Sequence, residues 1–222
     1  MCGRFAFFSP REAVTAAFGK DLEFQFEPHY NIAPSQEVTL LRLDENGELR
    51  IDKYRWGLVP FWAKDPAIGN RMINARGETV AEKPSFRQSF SRRRCLVLAS
   101  GFYEWRKDES GKTPFFISRA DDQPFGMAGL WDEWARGDGE PLRSCAVITT
   151  PANEFMRSMH DRMPVIVPDN IVKKWLNADA PKDDLLSMLL GPQKIDLQAW
   201  PVAKAVNNPI NDDASLIARV PT

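Results

Sequence analysis

Cys2 carries the most distinctive chemistry in this sequence. The chain opens Met1-Cys2-Gly3-Arg4. A small residue at position 2 permits removal of the initiator methionine, which would leave a free α-amine and a thiol on adjacent carbons. In unperturbed peptides the amine titrates at about 7.7–8.0 and the thiol at about 8.5, so both hold a reactive fraction near neutral pH. Such a 1,2-aminothiol can attack acyl groups as an N-terminal nucleophile. It can also condense with an aldehyde to a Schiff base that the thiol closes into a thiazolidine. A cysteine that merely begins a first strand is the plain alternative.

Four further segments place polar groups among apolar or aromatic neighbours. Ile73-Asn74-Ala75-Arg76 sets an amide and a guanidinium two residues apart, on one side if extended. Gly101-Phe102-Tyr103-Glu104-Trp105 puts a carboxylate between rings, where burial raises its pKa toward that of a general acid or base working near neutrality. Met159-His160-Asp161-Arg162 supplies an imidazole beside both signs of charge. Trp56-Gly57-Leu58-Val59-Pro60-Phe61-Trp62 offers large rings in a loop. Each has a structural alternative: a turn cap for Asn74, an outward edge-strand position for Glu104, a surface ion-pair loop for His160–Arg162, and core for Phe61 and Trp62.

The elements that must position these residues follow from periodicity and punctuation. Ser9-Pro10-Arg11-Glu12 predicts a helix capped by Ser9, running to about Phe18 and stopped at Gly19. Glu37 to Leu43 and Leu49 to Arg55 flank Asp44-Glu45-Asn46-Gly47 and predict a hairpin. Trp56 to Asn74 predicts a long functional loop. Short apolar runs at Cys95–Ala99, Phe102–Trp105, Pro114–Ser118, Phe125–Trp131 and Leu142–Thr149 predict strands, with turns at Asp108-Glu109-Ser110-Gly111 and Asp138-Gly139. Thr150-Pro151 predicts a helix reaching about Met159. Helices follow at Pro168–Leu176 and Asp183–Leu190, then a last strand at Leu197–Val202. The expected fold is a single α+β domain spanning residues 1–222, with mostly antiparallel sheets curled into a barrel-like core and several flanking helices.

Composition narrows the function classes. At 222 residues, 43% hydrophobic and 27% charged, the chain is an ordinary globular sequence with one sizeable core. No run reaches the roughly 18–20 apolar residues of a membrane span, and no signal-peptide pattern opens it, so a cytoplasmic protein is expected. Three separated cysteines make no disulfide framework, and Cys95 and Cys145 fit small buried strand residues. Two histidines and no CxxC pair argue against structural zinc; neither metal nor organic cofactor is expected. A net charge of −1 excludes coating nucleic acid by bulk charge and leaves room for a local basic groove. Of the arginines at 71, 76, 87 and 92–94, the run Arg92-Arg93-Arg94 is expected on a solvated helix face or loop.

Met1-Cys2-Gly3-Arg4-Phe5, Tyr30-Asn31-Ile32-Ala33-Pro34, Trp56–Pro60, Ile73-Asn74-Ala75-Arg76-Gly77-Glu78-Thr79, Gly101–Trp105 and His160-Asp161-Arg162-Met163-Pro164 together resemble the SOS-response-associated peptidase family, whose members are also called abasic-site processing proteins. The match runs in order along essentially the whole chain. The resemblance implies a sensor of abasic sites in single-stranded DNA, at a junction with duplex or within open strand. The mature N-terminal cysteine of such a sensor traps the sugar aldehyde as a thiazolidine crosslink and protects the lesion from strand cleavage. It implies Cys2 as nucleophile, Asn74 holding the sugar near the amine, Glu104 transferring protons and His160 stabilising the opened sugar. Arg4, Arg76 and Arg162 would hold phosphates, and Phe61, Trp62 and Trp105 would stack on bases. Autoproteolysis of the N-terminus and a monomeric state complete the expectation. Three rivals share parts of the pattern. An N-terminal-cysteine glutamine amidotransferase needs an oxyanion hole and usually a second domain. A non-covalent single-strand-binding module would use the aromatic loop and the arginines, and a protease would act on other proteins.

Overall fold

A computed structural model describes residues 2–19, 27–109, 111–135 and 139–220. In chain order the strands are β1 (Phe5–Phe7), β2 (His29–Ile32), β3 (Glu37–Leu43), β4 (Leu49–Trp56), β5 (Asn74–Arg76), β6 (Arg94–Ala99), β7 (Gly101–Asp108), β8 (Gly111–Arg119), β9 (Phe125–Trp134), β10 (Leu142–Pro151), β11 (Arg162–Pro164), β12 (Ile166–Val167) and β13 (Leu197–Pro201). The α-helices are α1 (Arg11–Phe18), α2 (Arg87–Arg92), α3 (Val172–Leu176) and α4 (Lys182–Leu190).

Strands β4, β3, β6, β9 and β10 pair in a ring that closes from β10 back to β4, so the described residues form a five-stranded barrel. An odd ring cannot alternate direction all the way round, and one seam must be parallel. That seam is β10 with β4, and it is short: Ser144 opposes Arg55 and Cys145 opposes Trp56. Beyond it the chain leaves β10, makes the excursion 57–73, and returns to the same line as β5, where Asn74, Ala75 and Arg76 oppose Val147, Ile148 and Thr149. The long loop expected from sequence is therefore an insertion within one edge of the barrel.

The neck of this excursion is narrow. Gly57 donates to the Cys145 carbonyl at 2.8 Å, Leu58 N–H to Met72 at 3.1 Å, and the Trp56 indole to Ile73 at 2.9 Å. Gly57 sits at φ +127°, and a Cβ there would lie 2.6 Å from the Gly69 carbonyl oxygen, so only glycine lets the two arms touch.

A second sheet, β13-β8-β7-β1-β2, is antiparallel throughout and covers the barrel. Alternation gives it two apolar faces. Phe5, Phe7, Phe102 and Ile117 join the main core with the barrel residues. Ala6, Tyr103 and Phe116 join a smaller core with Val202, Val206 and Leu216 of the C-terminal segment.

The hairpin β3–β4 and helix α4 form where the sequence predicts, whereas α3 starts at Val172 after a 3-10 turn, Asp169–Ile171, in place of the expected start at Pro168. Helix α1 ends at Gly19 with φ +76°, as expected, yet Ser9 does not cap it. The Ser9 hydroxyl lies 2.7 Å from the Ser100 hydroxyl instead, and that buried partner outcompetes the helix end.

Thr150-Pro151 starts no helix: both residues belong to β10, and only a 3-10 turn, Met156–Ser158, follows. A proline lacks the N–H that interior strands need, and here it ends the strand, where that loss is tolerated. The run Arg92–Arg94 is a solvated helix face only at Arg92, which is exposed at the end of α2. Arg94 is buried in β6, donating to the carbonyls of Phe90 and Ser91 from α2 and of Trp175 and Asn177 at the end of α3. It closes the C-terminal ends of two helices that a lone strand residue would leave open. Arg93 pairs with buried Asp132. Two predicted turns include Ser110 and Asp138, which lie outside the described residues. No helix among the described residues is long and apolar enough to cross a membrane.

Substituting Gly57→Ala should lower stability by about 1–3 kcal/mol, from the strained φ and the collision with Gly69. Gly139→Ala, where a Cβ meets nothing within 4 Å, should stay within about 0.5 kcal/mol. Urea denaturation midpoints of the two variants check this.

Candidate functional site

Cys2 precedes β1 and is fully buried. Its carbonyl accepts a 2.8 Å hydrogen bond from Asn74 Nδ2, a side chain delivered by β5 on the barrel. The Asn74 Oδ1 atom is buried and has no hydrogen-bond partner among the described residues. Burial drives the Cys2 thiol well above its ordinary pKa, and the nearby Glu104 charge adds to the shift, while the Arg4 backbone N–H opposes it. Beneath its covering the sulfur is therefore a thiol, not a thiolate.

Glu104 lies on β7, an interior strand flanked by β1 and β8, so the edge-strand alternative fails. It shares the barrel side of the sheet with Phe102, whereas Tyr103 and Trp105 face the C-terminal layer. It is 3% exposed, and burial pushes its carboxyl up to about 7, with the charge of Asp161 adding to the rise. A carboxyl at this value is half ionised at neutral pH and can both take and give a proton.

His160 follows the Met156–Ser158 turn, its N–H bonded to the Met156 carbonyl at 2.9 Å. Its Nδ1 lies 3.0 Å from the Arg162 N–H and 2.7 Å from Asp161 Oδ1. The two contacts exclude one another, because an unprotonated Nδ1 accepts from Arg162 and a protonated one donates to Asp161. Partial burial lowers the imidazole pKa and favours the neutral, accepting form.

The remaining expected residues divide into two groups. Arg76 is exposed on β5, and Phe61 and Trp62 are 48% and 46% exposed on the excursion. The other three are already engaged. Arg4 Nη1 donates to Asn31 Oδ1 and to the Val206 carbonyl, both at 2.8 Å. The Trp105 indole donates to Asn207 at 2.8 Å. Arg162 forms a two-pronged pair with Glu78 and also bonds Thr149. The structure thus brings Cys2, Asn74 and Glu104 together, with His160, Arg162 and Arg76 along the adjoining barrel rim. Arg4 and Trp105 meet the C-terminal segment.

Three supporting residues carried no role in the sequence reading. Glu78 stands two places after Arg76 inside a motif already singled out. Asn31 donates to the carbonyls of Val206, Asn208 and Asn211 and clasps the C-terminal segment against β2. Asp132 accepts from Phe61 N–H at 3.0 Å and pins the base of the aromatic tip. Glu78 and Asn31 both lie inside segments that carry the resemblance, which was their sequence signal, and nothing marked Asp132. No His, Cys, Asp and Glu cluster among the described residues could hold a metal. A cavity of about 780 Å³, lined by Arg119, Ile166 and Met188 among others, contains none of these residues.

A second-position thiol tethered through its own carbonyl, with a buried carboxyl of raised pKa beside it, is an arrangement equipped for proton transfer. The chain belongs to the SOS response associated peptidase (SRAP) family, which it matches over residues 1–209. It is 43% identical over 222 residues to the abasic site processing protein YoqW of Bacillus subtilis (strain 168), covering 98% of this chain and 99% of that one. Identity to the abasic site processing protein YedK of Escherichia coli (strain K12) is 32% over 229 residues, covering 99% and 100%. The crystal structure of a protein from Bacteroides thetaiotaomicron superposes with a TM-score of 0.87 at 26% identity, covering 99% of this chain and all of that one.

The Glu104 environment has a measurable consequence. The folded state holds its proton up to about pH 7, whereas the unfolded carboxyl releases it near 4.5. Between these values the folded state binds more protons, so stability falls as pH rises. Urea unfolding from pH 4 to 8 should show this decline in the parent protein and a flatter profile in Glu104→Gln.

Proposed function

We propose that this chain senses abasic sites in single-stranded DNA and captures them covalently through Cys2 once Met1 is removed. The observation that carries the reading is the position of Cys2, whose backbone is tied to Asn74 while Glu104, buried and near neutrality, stands beside it. Membership of the SRAP family, with relatives named abasic site processing proteins, supports the choice of lesion.

The chemistry runs in two stages. The Cys2 amine attacks C1′ of the ring-opened sugar, a C–N bond forms, and water leaves to give a Schiff base. Glu104 takes the proton from the amine and returns one to the departing hydroxyl. The thiol then adds to the imine carbon, forming the C–S bond, and its proton passes to the nitrogen. Asn74 holds the Cys2 backbone and offers its buried Oδ1 toward the sugar or amine. His160, neutral, stabilises the opened sugar. Arg4, Arg76 and Arg162 serve the phosphates, and Phe61, Trp62 and Trp105 the flanking bases, at about 1–3 kcal/mol for each stacked ring. Removal of Met1 by the protein itself is part of this reading, and so is a reversible, lyase-type Schiff base.

Incubation with a single-stranded oligonucleotide carrying one abasic site, followed by a denaturing gel, should give a shifted band for the parent protein and none for Cys2→Ala. If a sample with Met1 confirmed absent gives no shifted band, the covalent reading fails, and ammonia release from glutamine becomes the next assay.

A further inference from the structure

Arg162 is held from two unequal sides. Its Nη2 donates to the Thr149 carbonyl at 2.7 Å and to the Thr149 hydroxyl at 3.1 Å. Thr149 is buried in β10, and β11 pairs with it there, so this anchor is fixed. On the other side Glu78 receives both Nη atoms, Nη2 at 2.9 Å. The Arg162 side chain is 11% exposed and that of Glu78 37%, which puts the carboxylate on the solvent side of the guanidinium.

A guanidinium fork presents itself to a carboxylate and to a phosphate in the same two-pronged way. The place Glu78 occupies is thus the place a strand phosphate would take. Arg76, exposed and two residues away, also acts on this carboxyl: Arg162 chiefly, and Arg76 to a smaller degree, hold Glu78 below the usual carboxylate range.

We infer that Glu78 is a displaceable occupant of a DNA-phosphate site, neutralising Arg162 in the free protein and yielding its fork to the phosphate when a strand binds. Thr149 keeps the guanidinium in place during the exchange, and Arg76 gives the released carboxylate a second cation. This rests on the proposed binding of single-stranded DNA and adds a restraint to it. The phosphate that takes this fork must displace an intramolecular carboxylate, so undamaged strands are held more loosely and capture leans on the covalent step. The exchange also removes most of the net counterion release that Arg162 would otherwise contribute.

The test is fluorescence anisotropy with a labelled, undamaged single-stranded oligonucleotide between about 50 and 200 mM salt, where phosphate contacts change affinity most visibly. Glu78→Gln keeps the shape and removes the charge. It should tighten binding about tenfold and steepen the slope of log K against log salt by about 0.7, the increment of one added phosphate contact on a single strand. The double variant Glu78→Gln with Arg162→Ala should lose that gain. Unchanged or weaker binding by a Glu78→Gln protein with a parent-like urea midpoint would overturn the inference. A gain that persists without Arg162 would also overturn it, because the effect would then be one of general charge. Abasic-strand crosslinking is followed in the same preparations. A parent that binds and crosslinks without the Glu78→Gln gain sinks this inference alone, and a parent that binds no DNA sinks both readings.

Discussion

A side-chain hydrogen bond joins the two halves of the candidate site. Asn74 Nδ2 reaches from the rim of the barrel to the carbonyl of Cys2 on the covering sheet. The barrel carries Asn74, Arg76 and, through β10 and β11, Thr149 and Arg162. The covering sheet carries Cys2, Arg4 and Glu104. The two layers already share one apolar core, and this bond adds a directed polar tie between the Cys2 backbone and the barrel rim. A direct hydrogen bond of this kind contributes only about 0.5–1.5 kcal/mol to stability. Its larger effect is geometric, since a 1 Å misplacement of a reacting group can cost about 100-fold in rate.

The link exists because of how the barrel closes. Five strands require one parallel seam, and in this chain the seam is divided between β4 and β5 with the excursion 57–73 between them. The same interruption that exposes Phe61 and Trp62 returns the chain at Asn74. The excursion is pinned along its length: Val59 N–H bonds the Ser144 hydroxyl, Phe61 N–H bonds Asp132, and the Trp134 indole bonds the Ala63 carbonyl. Two exposed rings on a backbone held at this many points are preorganised, so the proposed stacking of bases on them would cost little conformational entropy.

Much of this arrangement was legible in the sequence, and the misses have physical causes. The β3–β4 hairpin announced itself through flanking strand periodicity and the turn Asp44-Glu45-Asn46-Gly47, because both signals are local. Glu104, Asn74 and His160 stood out as polar residues in apolar surroundings, and burial is what shifts the pKa values of Glu104 and His160. The parallel seam was not legible, since it pairs segments nearly ninety residues apart in the chain. Arg94 was misjudged because a charged residue looks solvated until four backbone carbonyls are seen to converge on it. Thr150-Pro151 was misjudged because the pair that opens helices also closes strands. Glu78 was missed as a partner because nothing local says that a carboxylate will meet an arginine 84 positions later.

The central claim is that the Asn74 tether sets the reacting geometry of Cys2 without itself supplying affinity for the strand. Single-turnover crosslinking of an abasic oligonucleotide at saturating concentration, comparing the parent with Asn74→Ala, tests it most directly. The account predicts a rate loss of about 100-fold or more, with affinity for undamaged strand unchanged. Crosslinking by Asn74→Ala at the parent rate would contradict it.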